Sequence, residues 1–157
     1  TFNLIEMGYP FLCEEVSPVD PETLRVYPYP QVLTLDGTYA LKYQSRYPVQ
    51  NGTLKIIDPL MARYHPNAAG SDPVPLKTIL MPEYDPSQTP GIEELFPGEI
   101  FTEILGYCFP PNGDDEYLFD SVIRICEAAE IFKLRTNDLR SMRELLKELF
   151  KPEPLNP

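Results

Sequence analysis

Hydrophobic positions divide the chain into two textures. Up to about Gly98, short apolar runs alternate with turn signals: Phe11–Val16, Leu24–Tyr27, Val32–Leu35, Leu54–Ile57 and Leu76–Met81 read as strands. Asp20-Pro21, Asp36-Gly37, Asn51-Gly52, Asp58-Pro59 and Asp85-Pro86 separate them. From Gly98 the period becomes helical. Ile100, Phe101, Ile104, Leu105 and Cys108 mark one face, closed by Pro110-Pro111-Asn112-Gly113. A second helix opens on Asp114-Asp115-Glu116, acids placed where the helix dipole favours them, and buries Leu118, Phe119, Val122, Ile125, Cys126 and Ala129. An extended Ile131–Arg135 follows. The last helix takes Thr136 or Asn137 as cap, stripes Leu139, Met142, Leu145, Leu146, Leu149 and Phe150, and stops at Pro152. At the other end, Phe2, Leu4, Ile5 and Met7 before Gly8 read as the last turns of a helix with a glycine stop, its start lying upstream.

Composition narrows the class. There are 19 prolines in 157 residues, dispersed among hydrophobics as rigid turns between short strands. Hydrophobic and charged shares of 43% and 24% are those of a globular protein. A net charge of −11 argues against nucleic-acid or anionic-membrane binding, which needs clustered Lys and Arg. No run approaches the roughly 20 apolar residues of a membrane span. Cys13, Cys108 and Cys126 have no metal-ligand spacing and read as free thiols in a reducing, cytoplasmic compartment. His65, the lone histidine, reads as a loop residue. Lys42, Arg46 and Lys55 read as solvated cations, and Tyr27, Tyr29, Tyr39, Tyr43 and Tyr47 as rings packed on prolines.

The chemistry sits in Gly8-Tyr9-Pro10-Phe11-Leu12-Cys13-Glu14-Glu15-Val16-Ser17-Pro18-Val19-Asp20. An apolar strand ending in two carboxylates is where nucleotide-binding α/β proteins hold a metal or accept a hydroxyl proton. Alternation along a strand gives Glu14 and Glu15 different tasks. Ser17 has no base or Lys partner visible in the sequence.

This stretch resembles the HPr kinase/phosphorylase-like family, related to phosphoenolpyruvate carboxykinase, in which a helix leaving the P-loop ends at glycine and a strand delivers an acidic pair. Glu22–Leu35, with Tyr27-Pro28-Tyr29-Pro30, is similar to its hairpin and Pro-aromatic-Pro strand. Asp72–Pro82 is similar to its proline-leucine strand element, and Phe101–Phe109 and Phe132–Phe150 to its closing helices. The resemblance implies a mixed α/β or α+β fold of short strands followed by C-terminal helices. Residues 1–157 would form one partial kinase-like domain incomplete at its N-terminus, with 1–97 strand-rich and 98–157 mainly helical. It also implies an ATP- and Mg²⁺-dependent phosphotransferase acting on a serine or other hydroxyl of a protein or small molecule. Glu14 and Glu15 would be its catalytic and metal-linked carboxylates, and self-association is compatible with it. The sequence departs from the pattern in three ways: no GxxxxGK[ST] occurs, Glu14 replaces Asp, and Gln31 replaces Arg. The alternative is a non-catalytic pseudo-kinase or interaction module, its terminal helices (Leu118–Phe150) docking a protein much as the helical tail of a BTB-type adaptor does.

Overall fold

A computed structural model describes residues 1–67, 69–110 and 113–150. In chain order the elements are α1 (Phe2–Glu6), β1 (Val19–Asp20), β2 (Arg25–Val26), β3 (Leu33–Leu35), α2 (Gly37–Gln44), β4 (Gly52–Asp58) and β5 (Met61–Pro66). There follow β6 (Val74–Pro75), β7 (Thr78–Tyr84), β8 (Gly91–Leu95), α3 (Pro97–Tyr107), α4 (Asp115–Ala128), β9 (Glu130–Thr136) and α5 (Leu139–Leu149). The fold is α+β, with three small sheets. The described residues form two compact units: 1–19 with 26–74, and 20–25 with 75–150. The short strands β1, β2 and β6 pair in the order β1-β2-β6.

In the first unit the sheet order is β3-β5-β4, antiparallel throughout, with Leu33 opposite Tyr64 and Leu54 opposite Tyr64 on the other side. Five residues of helix have little stability of their own, so α1 depends on its surroundings. It ends in a Schellman motif: Gly8 N–H donates to Ile5 C=O (2.9 Å) and Tyr9 N–H to Leu4 C=O (3.1 Å), with Gly8 at φ +97°. The predicted glycine stop is therefore present. Its last residue, Glu6, is buried and accepts from Gln50 N–H (2.8 Å), Asn51 N–H (3.1 Å) and the Tyr64 hydroxyl (2.5 Å). Asn51 Nδ2 adds a bond to Ile5 C=O (2.9 Å). Burial and the Glu6 carboxylate beside it push the Tyr64 hydroxyl pKa well up. The Phe2 ring lies edge-on to Tyr43 and Tyr64, at 4.7 and 4.8 Å between centroids.

Asp36-Gly37 is a helix start rather than a simple turn. Asp36 caps α2 by accepting from Tyr39 N–H (2.7 Å). Gly37 lies against the β4–β5 turn, where a Cβ would stand 1.9 Å from Asp58 O. That turn is shaped by Asp58, whose carboxylate accepts from Leu60 and Met61 N–H. The Tyr43 and Tyr47 rings lie 5.3 Å apart between centroids, tilted against one another. His65 lies in β5, not in a loop, because Ala62 and Tyr64 point inward and Arg63 and His65 outward, a clean two-residue period.

In the second unit the sheet order is β7-β9-β8. The last strand is central, parallel to β7 and antiparallel to β8. Its core joins Ile100 and Ile104 of α3, Val122 and Cys126 of α4 and Ile131 of β9, with Ile79, Met81 and Leu95 packed against them. The Asp114 carboxylate caps α4 through Tyr117 N–H (3.0 Å). Asp138, not Thr136 or Asn137, caps α5 through Ser141 N–H (2.7 Å). Asp20 shapes the β1–β2 turn by accepting from Glu22 N–H and the Thr23 hydroxyl, which hold its pKa down. Pro111, Asn112 and Pro152, read as breakers, lie outside the described residues. No helix among the described residues is long and apolar enough to cross a membrane.

Two substitutions test these contacts by urea or thermal unfolding. Tyr64→Phe removes one donor from a buried carboxylate and is expected to cost about 1–3 kcal/mol. Gly37→Ala places a methyl against backbone that cannot swing away and is expected to cost about 1–3 kcal/mol. Native stability in both variants would mean that neither contact holds the first unit together.

Candidate functional site

The acidic segment is not the regular strand its sequence predicts. Phe11 and Cys13 make isolated parallel bridges, to Ala69 and Tyr29, and the chain between Cys13 and Ser17 bulges out. Its two ends are clamped by neighbouring backbone: Tyr29 N–H donates to Leu12 C=O (2.9 Å) and Tyr27 N–H to Pro18 C=O (2.8 Å). Cys13 Sγ and Ser17 Oγ close the loop from within at 3.1 Å. At its crest Val16 N–H bonds back to Glu14 C=O across Glu15, which takes φ +55°. A left-handed glutamate costs of order 1–3 kcal/mol, so the loop stores strain next to its acids. Prolines at 10 and 18 help to explain the absent strand, since each removes a ladder donor.

The two acids occupy different environments, though backbone turning rather than strand alternation separates them. Glu14 is half-buried, and its Oε1 accepts from Thr34 N–H (2.9 Å) on the edge strand β3. Glu15 is exposed. Desolvation raises the Glu14 pKa, the Thr34 bond opposes that shift, and the neighbouring charge of Glu15 adds to it. Among the described residues no Lys or Arg lies within ion-pair distance of either acid, and no third His, Cys, Asp or Glu completes a metal-binding group with them. Glu14 is thus a positioned carboxylate with no paired Lys or Arg among the described residues. The α-ammonium of Thr1 has a minor effect, which lowers its pKa.

Other candidates lie apart from this chemistry. Lys42, Arg46 and Lys55 are exposed. Ser17 bonds Cys13 and, among the described residues, is not engaged by a base. All three cysteines are free, Cys126 buried and Cys13 and Cys108 half-buried, and burial pushes the Cys108 and Cys126 thiols up. Thr34 is the residue that sequence reasoning passes over. It acts through its backbone N–H, and no side-chain pattern announces that.

The raised Glu14 pKa fixes the sign of a pH effect. A carboxyl that holds its proton more tightly when folded favours the native state below the ordinary carboxylate pKa. That contribution is lost as pH rises through the folded value. Glu14→Gln keeps an acceptor for Thr34 N–H and removes the charge. Its melting temperature is expected to match or exceed the parent's at pH 7, with the advantage gone near pH 4. A variant less stable at pH 7 than at pH 4, relative to the parent, would contradict this. Compared with profiles of protein families, with curated protein sequences and with solved structures, the chain has no significant match.

Proposed function

We propose that this chain is part of an HPr-kinase-like, ATP-dependent phosphotransferase acting on a hydroxyl acceptor, with Glu14 and Glu15 as its working carboxylates. One observation carries the reading: Glu14 is held in place by Thr34 N–H, partly desolvated, and beside a second acid. A carboxylate so placed gains proton affinity, which suits a base that takes the proton of an attacking hydroxyl. An adjacent pair of acids with no Lys or Arg paired to it among the described residues also suits Mg²⁺, which is commonly bound by one or two carboxylates together with substrate phosphates and water. When bound, the ion would neutralise charge on the transferring phosphoryl group.

The protein's own part is positional. The Leu12–Pro18 clamp fixes the loop and Thr34 orients Glu14. Exposed Glu15 raises the charge density that a metal or a proton would relieve. The 157 residues contain no GxxxxGK[ST], so ATP binding by the motif usual in this family is not expected of them alone. The alternative, a pseudo-kinase or interaction module, shares the fold and lacks the turnover.

Calorimetry with Mg-ATP, and transfer of labelled γ-phosphate by the full-length gene product, separate the two. Glu14→Gln is expected to lower kcat by about 10²–10⁴-fold, the usual worth of a positioned base. Glu15→Gln is expected to weaken metal dependence more than ATP binding. Neither binding nor transfer in the full-length product would leave the non-catalytic reading.

A further inference from the structure

The Asn51-Gly52 pair stands where α1 is fastened to the first unit's sheet, and packing dictates both residues. Gly52 opens β4 against the Tyr64 ring, where a Cβ would lie 2.3 Å from Tyr64 Cζ. That ring is fully buried and its hydroxyl is tied to Glu6, so it cannot withdraw to admit a side chain. Asn51 is held at three atoms. Its N–H donates to Glu6 Oε1 (3.1 Å), its Nδ2 donates to Ile5 C=O (2.9 Å), and its own C=O accepts from Asn67 N–H (2.9 Å). A carboxylate at this position would have no donor for the Ile5 carbonyl, so the amide is required. The fold therefore retains Asn-Gly, the dipeptide in which an unhindered glycine nitrogen most readily attacks the preceding side-chain amide.

We infer that Asn51 is a deamidation site gated by α1, and that its conversion releases the helix irreversibly. The Gly52 nitrogen attacks Asn51 Cγ, ammonia leaves, and a cyclic succinimide forms. Water then opens either carbonyl of the ring, giving aspartate or isoaspartate. The net change is water consumed and ammonia released, with no oxidant and no cofactor. While α1 is docked, the bond from Nδ2 to Ile5 and the bond from Asn67 to the 51–52 peptide carbonyl oppose the rotations that bring the reacting atoms together. When α1 undocks, its Ile5 and Glu6 partners leave with it. A five-residue helix held by tertiary contacts is the kind of element that opens locally. The product then bars return. Aspartate replaces the donor to Ile5 C=O with an anion, close to the buried Glu6 carboxylate that bonds the same residue's N–H. Isoaspartate adds a backbone carbon ahead of Gly52 and shifts β4 against Tyr64. This inference is independent of phosphoryl transfer.

The test is an incubation of the intact chain in mildly alkaline buffer, native and in urea. Peptide mapping separates Asn51 from Asn112-Gly113, the chain's second such pair. Asn51 is expected to convert to aspartate and isoaspartate in the native chain at a rate at least about tenfold below that in urea, a gate of about 1.4 kcal/mol. Phe2→Leu removes the ring that lies edge-on to Tyr43 and Tyr64, and should carry the native rate most of the way to the unfolded one. Asn51→Asp should abolish amide-exchange protection at Met7, Gly8 and Tyr9, whose N–H groups bond back into α1, while leaving β3, β4 and β5 protected. Equal native and unfolded rates would overturn the inference, since nothing would then gate the site. An Asn51 that stays intact in both the native parent and folded Phe2→Leu, while converting in urea, would overturn it as well. So would an Asn51→Asp chain that keeps α1 protected, or one that loses protection throughout β3, β4 and β5, which would make the residue a general support and not a latch. The Asn51→Asp exchange decides the matter even where Phe2→Leu fails to fold.

Discussion

The buried carboxylate of Glu6 is the interaction on which the first unit depends. It gathers donors from the segment entering β4 and from the centre of β5, and so ties a helix too short to stand alone to the sheet. A buried anion is costly without such donors, and three of them offset that cost here. The consequence reaches the acidic loop. Tyr64, which bonds Glu6, sits opposite Leu33 of β3, and the next residue, Thr34, holds Glu14. From the end of α1 the chain passes through the Gly8 stop into the acidic loop, which returns to the same sheet. Glu6 and Glu14 therefore close one circuit, the first carboxylate structural and held by three donors, the second positioned by a single backbone donor.

The second unit is built on different physics. Its centre is aliphatic, with Ile79, Met81, Leu95 and Ile131 of the sheet under Ile100, Ile104 and Val122 of the helices. Beyond that centre the same sheet face carries charge: Lys133 reaches Glu83 (3.1 Å) and Arg135 reaches Glu93, both partly exposed. Such pairs contribute little to stability, their median near 0–1 kcal/mol. The unit is held by the packing of that aliphatic centre.

Where side-chain pattern and structure obey the same rule, the sequence reads well. The helices α3, α4 and α5 follow from their apolar stripes, within a residue or two of their observed ends, and α4 also from the acids that open it. The glycine stop after α1 follows from Gly8. Helix α2 does not, because its inward residues are Ala40 and Tyr43 and it begins with Gly-Thr, which reads as a turn. Strand β5 hides between Asp58-Pro59 and Pro66 although Ala62 and Tyr64 alternate with Arg63 and His65. At the site, the acids are legible as residue types. Their setting is not: a left-handed Glu15 and a backbone donor from Thr34 leave no mark in composition or spacing.

The placement of β9 carries a consequence for biosynthesis. Strands β7 and β8 emerge from the ribosome well before it, yet each makes its ladder with β9 and not with the other. Until Glu130–Thr136 has been translated and has cleared the exit tunnel, both earlier strands present unsatisfied backbone, a known hazard for misassembly. Nascent chains of this protein should therefore need shelter longest over residues 78–129, and a chain ending short of β9 would be a substrate for quality control rather than a smaller stable fragment.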